Sequence, residues 1–218
     1  PILSLPNFYG AHGYDPTIPN MSAVFMAAGP DIRQGTLTRV NNLDVAPTAA
    51  RLLGVKLSTL VEGTAIPVRI PRKVKAALAD QLAALRPSAD RRSAAHLERA
   101  IDRFSRSLAT SLWADDVHLT RLGAQVFQEE RAAVEHLLKI VGQLPAVAGA
   151  TQDIVAADEE LAAIAIDGAV AGSGDERLIG LARQALGKGL AEAASGRYRQ
   201  ALDQYRNAWG LARKAVRE

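Results

Sequence analysis

A chain of 218 residues, 48% hydrophobic and 22% charged, is long enough to bury a real core and has the balance of an ordinary globular protein. Its net charge of +3 is small, and its arginines are spread out without interleaved aromatics, so it carries no nucleic-acid-binding stripe. There is no cysteine, which excludes disulfides and thiolate metal sites, and no run approaches the ~18 apolar residues of a transmembrane helix.

The first 70 residues hold seven of the ten prolines and short apolar runs bounded by Gly, Pro and Asn. The run Ala23 to Ala28, closed by Gly29-Pro30, has the length and punctuation of a strand buried on both faces. Asn42-Leu43-Asp44 opens a helix with Asp44 as N-cap; Val45, Thr48, Ala49, Leu52 and Leu53 follow at helical spacing, and Gly54 closes it. From Lys73 the pattern turns helical: Val74 to Leu85, Ser93 to Leu112, His118 to Val141, Asp153 to Ala171, Asp175 to Ala194 and Tyr198 to Val216. Pro145 to Ala150 is the candidate linker. Trp113, Phe127, Tyr205 and Trp209 are the aromatic side chains expected inside the helical part. The chain starts at Pro1 with no initiator methionine, so it reads as a piece of something longer, with any targeting segment upstream.

The chemistry-bearing residues are Gly10-Ala11-His12-Gly13-Tyr14-Asp15. A neutral imidazole is a common zinc ligand, and flanking glycines tolerate the tight loop such a ligand needs. After it come Pro19-Asn20-Met21, the apolar run, Asn42 to Thr48, Leu52-Leu53-Gly54 and Glu62-Gly63-Thr64. This succession, over about residues 7 to 70, resembles the C-terminal end of the alkaline phosphatase superfamily, in its type I phosphodiesterase/nucleotide pyrophosphatase branch. Sulfatases and alkaline phosphatases carry a related helix, and the His-Gly-Tyr-Asp tetrapeptide tilts the choice to the phosphodiesterases.

The resemblance implies a fold class: α/β, a C-terminal fragment of an alkaline-phosphatase-like sandwich followed by a mainly α-helical tail. Its divisions would be 1–72, the end of the α/β domain; 73–145, a helical extension; and 146–218, a helical region ending in a tetratricopeptide-like helix pair. It also implies a metal-dependent hydrolase of a small phosphoester that uses two zinc ions, with His12 at the position of the last protein ligand. Paired zinc ions clamp phosphoryl oxygens and lower the pKa of the attacking group. The nucleophile and the remaining ligands would lie upstream, leaving no catalytic residue in this chain and the chain inactive alone. The family favours a periplasmic or secreted setting.

Other features read as structural. Asp115-Asp116-Val117-His118 resembles a metal cluster, but its place before Leu119-Thr120 suits a helix-start turn. His96 and His136 sit among charged helical neighbours and read as solvated. The glycines 168, 172 and 174 lack the Lys-Ser or Lys-Thr of a phosphate loop. The alternative to a hydrolase is a helical protein-interaction or surface-docking module, with a protein partner for the tail.

Overall fold

Pro71 stands at the start of α2 (Pro71–Ala84), where its missing N–H leaves no bond unmade and its fixed φ suits the helix. Asp90 caps α3 (Arg91–Ser107), its carboxylate accepting from Ser93 N at 2.7 Å. Asp175 caps α6 (Glu176–Ala194) in the same way, accepting from Leu178 N at 2.9 Å. Gly196, at φ +71°, turns the chain from α6 into α7 (Tyr198–Ala215). The other helices are α1 (Val45–Leu52), α4 (Ala124–Leu138) and α5 (Val147–Ala171). These elements come from a computed structural model that describes residues 23–37, 40–55 and 62–216.

The structure corrects the expected α/β sandwich. It is a helical fold, 67% helical, with no strand or sheet among the described residues. The run Ala23 to Ala28 is unpaired, with Val24 and Met26 81% and 87% exposed. A strand apolar on both faces needs partner strands and covering layers. Among the described residues the extended pairing near it is one antiparallel bridge, Ile32 with Arg69. It is held by Arg33 N to Val68 O at 2.8 Å and Ile70 N to Asp31 O at 2.9 Å.

Helix α5 is the axis of the bundle and packs on α2, α4, α6 and α7. Its residues are buried around most of its circumference, as expected of an alanine-rich helix without a polar stripe. The expected linker at 145–150 is instead a tight turn that enters α5 at Val147, and Val147 and Ala150 are buried in a core that runs from Leu78 to Ala215. Helix α4 ends at Leu138, short of Gly142, and α3 ends at Ser107, giving way to a short 3-10 turn at Thr110–Leu112. Trp113, Phe127, Tyr205 and Trp209 are all buried, as expected. Phe127 and Trp209 meet at 6.0 Å between α4 and α7, and Trp113 Nε1 donates to Ser107 O at 2.8 Å.

Helices α6 and α7 are joined by three residues and pack closely as an antiparallel pair. Gly189 makes their approach possible. A Cβ there would sit 2.6 Å from Tyr205 Cδ1, and Tyr205 is fully buried and cannot swing aside. Gly189→Ala is therefore expected to destabilise by about 1–3 kcal/mol through overpacking, outweighing alanine's better helix propensity. Gly187→Ala on the same helix meets open space and gains about 0.5–1 kcal/mol instead. Thermal melts of the two variants check this, and equal shifts would contradict the close packing.

Candidate functional site

The expected metal ligand His12, with its neighbours Gly10 to Asp15, lies outside the described residues. Among the described residues no three His, Asp or Glu side chains converge as a zinc site requires.

What the fold does assemble is a set of buried charges along one turn of α5. Asp158, Glu159 and Glu160 are consecutive, so their side chains leave the helix about 100° apart and reach three directions. All three are buried. Asp158 faces α2 and α4, where Lys75 Nζ donates to Asp158 Oδ1 at 2.6 Å and to Glu130 Oε2 at 2.5 Å. Glu159 meets Arg51 of α1, whose two terminal nitrogens donate to it at 2.9 and 3.3 Å. Glu160 accepts from Arg69 Nε at 2.9 and 3.1 Å and from Arg51 at 3.4 Å. Further along, Asp167 pairs with Arg33 at 3.3 Å, while Arg33 Nε donates to Pro67 O at 2.5 Å. Cations from the irregular first third of the described chain, and Lys75 from α2, thus bind the acids of the central helix.

The Lys75 cluster holds one ammonium and two carboxyls, all fully buried. Burial pushes the Glu130 carboxyl up to about 8, and the nearby Asp158 adds to the rise. Burial likewise raises Asp158, against the pull of Lys75. Burial alone would lower the Lys75 ammonium, but the two carboxyls outweigh it and hold it raised. Near neutral pH the cluster therefore keeps one proton on its carboxyl pair, which removes the excess negative charge from a low-dielectric site. Glu130 Oε1 and Asp158 Oδ2 have no hydrogen-bond partner. Tyr205, whose hydroxyl is also unpartnered, is raised by burial and by Glu159.

A cavity of about 400 Å³ opens beside this network, between α5 and the α6–α7 turn. Glu159 and Tyr205 line it, with Gln152, Tyr198 and the last residues of α6. Gln152 Nε2 donates to the Tyr198 hydroxyl at 3.2 Å.

The remaining histidines fall into two settings. Asp115 Oδ1 accepts from Val117 N and His118 N, both at 2.7 Å, and its Oδ2 meets His118 Nδ1 at 2.8 Å. This is the turn expected before Leu119-Thr120, although helix α4 itself begins only at Ala124. His96 and His136, expected to be solvated, instead face each other from α3 and α4, half-buried, with their Nδ1 atoms 3.2 Å apart. That spacing requires at least one neutral ring. Burial, Lys139 and His96 all lower the pKa of His136.

Sequence reasoning passed over the Asp-Glu-Glu triplet and Lys75. The signal for the triplet was present: three adjacent acids inside a helix of Ile, Val, Ala and Leu have no solvated face to occupy. Lys75 had none, because a lysine between apolar positions reads like any surface lysine. No protein-family model, curated protein or solved structure significantly matches the chain.

Proposed function

We propose that this chain is part of a metal-dependent phosphoester hydrolase of the phosphodiesterase/nucleotide pyrophosphatase type, with His12 as one zinc ligand. The observation that carries the reading is the ordered succession Gly10 to Asp15, Asn42 to Thr48, Leu52-Leu53-Gly54 and Glu62-Gly63-Thr64. The helical body supports it in a subordinate way: Arg51 and Arg69, from the segment that bears the later motifs, are held by α5. On this reading the bundle anchors the ligand-bearing segment, and the nucleophile and other ligands come from elsewhere in the intact enzyme.

The test compares metal content and turnover of an activated phosphodiester in the intact enzyme, its His12→Ala variant and the 218-residue chain. His12→Ala is expected to lower kcat by about 100-fold or more and to empty one metal position, because a lost ligand costs at least as much as a lost ligand-orienting partner. The 218-residue chain alone is expected to be inactive. Full activity in the variant would remove His12 from the site.

A second reading is a helical docking module with no catalytic role. It is favoured by the apolar surface left uncovered on and around α1, where Leu43, Leu52, Leu53 and Val55 are exposed. An intact, metal-loaded protein without phosphoesterase activity would leave that reading standing.

A further inference from the structure

His96 and His136 meet across the α3–α4 interface with their Nδ1 atoms 3.2 Å apart and their ring centres 5.5 Å apart, so the two nitrogens point at each other along one line. Further along α3 and further back along α4, Arg103 pairs with Glu129 at 3.1 Å, so the two helices run antiparallel. The histidines therefore close one end of the interface, the start of α3 against the last turn of α4. Leu97 and Leu137, the next residue along each helix, are fully buried.

A ring nitrogen accepts a hydrogen bond only while its lone pair is free. Two neutral rings, or one neutral and one charged, can place a single Nδ1–H on the facing lone pair, and the contact holds. With both rings charged, both nitrogens are donors, no acceptor remains between them, and two cations face each other. The surroundings resist that second charge. Burial, Lys139 of α4 and Arg99 of α3 all disfavour a charge on His136, while Glu135 favours it. Glu135 is itself engaged by Lys139 at 3.2 Å and by Arg199 of α7 at 3.9 Å. Other charges on the elements packed against the two helices are paired elsewhere: Asp203 of α7 with Arg131, Arg86 after α2 with Glu98, and Asp158 of α5 with Lys75. The negative end of the α4 dipole favours a cation at His136, and one proton on the pair already satisfies it.

We propose that this pair is an acid-released latch: with at most one shared charge it holds the start of α3 on the end of α4, and a second proton opens that end of the interface. The rings are half-buried, so protons reach them without unfolding. The folded chain holds the His136 pKa below its ordinary value, so the unfolded chain binds more protons once the pH drops below about 6.5. The latch's contribution is therefore whole above about pH 6.5 and is lost as the pH falls through the lowered folded value. Its sign is opposite to that of the buried Glu130, and it does not depend on the role of His12.

The experiment is denaturant unfolding, at about pH 7.5 and about pH 5, of the 218-residue chain and its His96→Gln and His136→Gln variants, with imidazole nitrogen NMR on the wild type. The buried carboxyls are common to all three proteins and cancel in the comparison. Between the two pH values the wild-type folding constant is expected to fall about fivefold or more relative to either variant. Hydrogen exchange, referred at each pH to the unstructured rate, is expected to place the loss at the amides of Leu97 and Leu137 rather than those of Phe104 and Val126. The two rings are expected to titrate in two separate steps. A wild-type pH dependence equal to that of the variants, a loss spread evenly along α3 and α4, or both rings titrating together in one step near the ordinary imidazole value would each overturn the latch.

Discussion

Lys75→Met is expected to lower unfolding free energy by about 3–5 kcal/mol at pH 8, the cost of leaving buried carboxyl partners without their cation. The loss should be smaller at pH 5. With the ammonium gone, Glu130 and Asp158 stay buried only if both bind a proton, and acid supplies those protons. The wild-type protein carries a related signature. Glu130 has a folded pKa of about 8, above its unfolded value, so the folded state binds more protons between the two. Its contribution is therefore complete below the unfolded pKa and is lost as pH rises through about 8. Asp158, Glu159 and Asp167, also raised by burial, act in the same direction. Glu130→Gln keeps an acceptor for Lys75 but cannot titrate, so denaturant melts from pH 5 to 9 should show a flatter decline than wild type. An identical slope in the variant would mean that Glu130 is ionised in the folded state at neutral pH.

The helical body was legible because its signals are local. Asp175 and Gly196 mark helix ends by type and position, whereas Pro71 and the cap Asp90 begin their helices two or three residues before the expected starts at Val74 and Ser93. Tyr205 and Trp209 stand one helical turn apart on α7. The first third misled for the opposite reason. Ala23 to Ala28 has the composition of a buried strand, but whether such a run is a strand depends on partners, which periodicity within one segment cannot supply. Asp44 shows the same limit on a smaller scale. It was read as an N-cap, yet it makes no cap bond and instead accepts from Thr64 N at 2.8 Å, twenty positions along the chain. The ion pairs that fasten the segment join positions 91 to 134 apart, Arg69 to Glu160 and Arg33 to Asp167 among them. No spacing rule reaches so far. The reading of His12 as a metal ligand rests on its sequence motif alone, because the residue lies outside the described ones.

Glu160→Ala is expected to loosen the segment around Arg69 selectively while leaving the bundle folded. Glu160 is fully buried and is the carboxylate that holds Arg69, with both of its oxygens engaged by Arg69 Nε. Arg69 is already under-satisfied, since its Nη2 is buried without a partner. Removing the carboxylate takes away charge-assisted hydrogen bonds together worth about 2–3 kcal/mol and leaves a guanidinium that must move to reach water. Arg51 keeps its paired contact with Glu159, so α1 should stay in place. The core of α2 to α7 does not use Glu160 for packing, so the main melting transition should shift little. Local opening exposes the chain to protease in proportion to the open population, so trypsin cleavage after Arg69 should rise about 30-fold or more. Cleavage after Arg51 should rise much less. In Glu159→Ala the pattern should reverse, because Arg51 then keeps only its 3.4 Å contact to Glu160 while Arg69 is untouched. If both variants cut at both sites to the same extent, the two arginines open as one unit, and the division of labour between Glu159 and Glu160 is wrong.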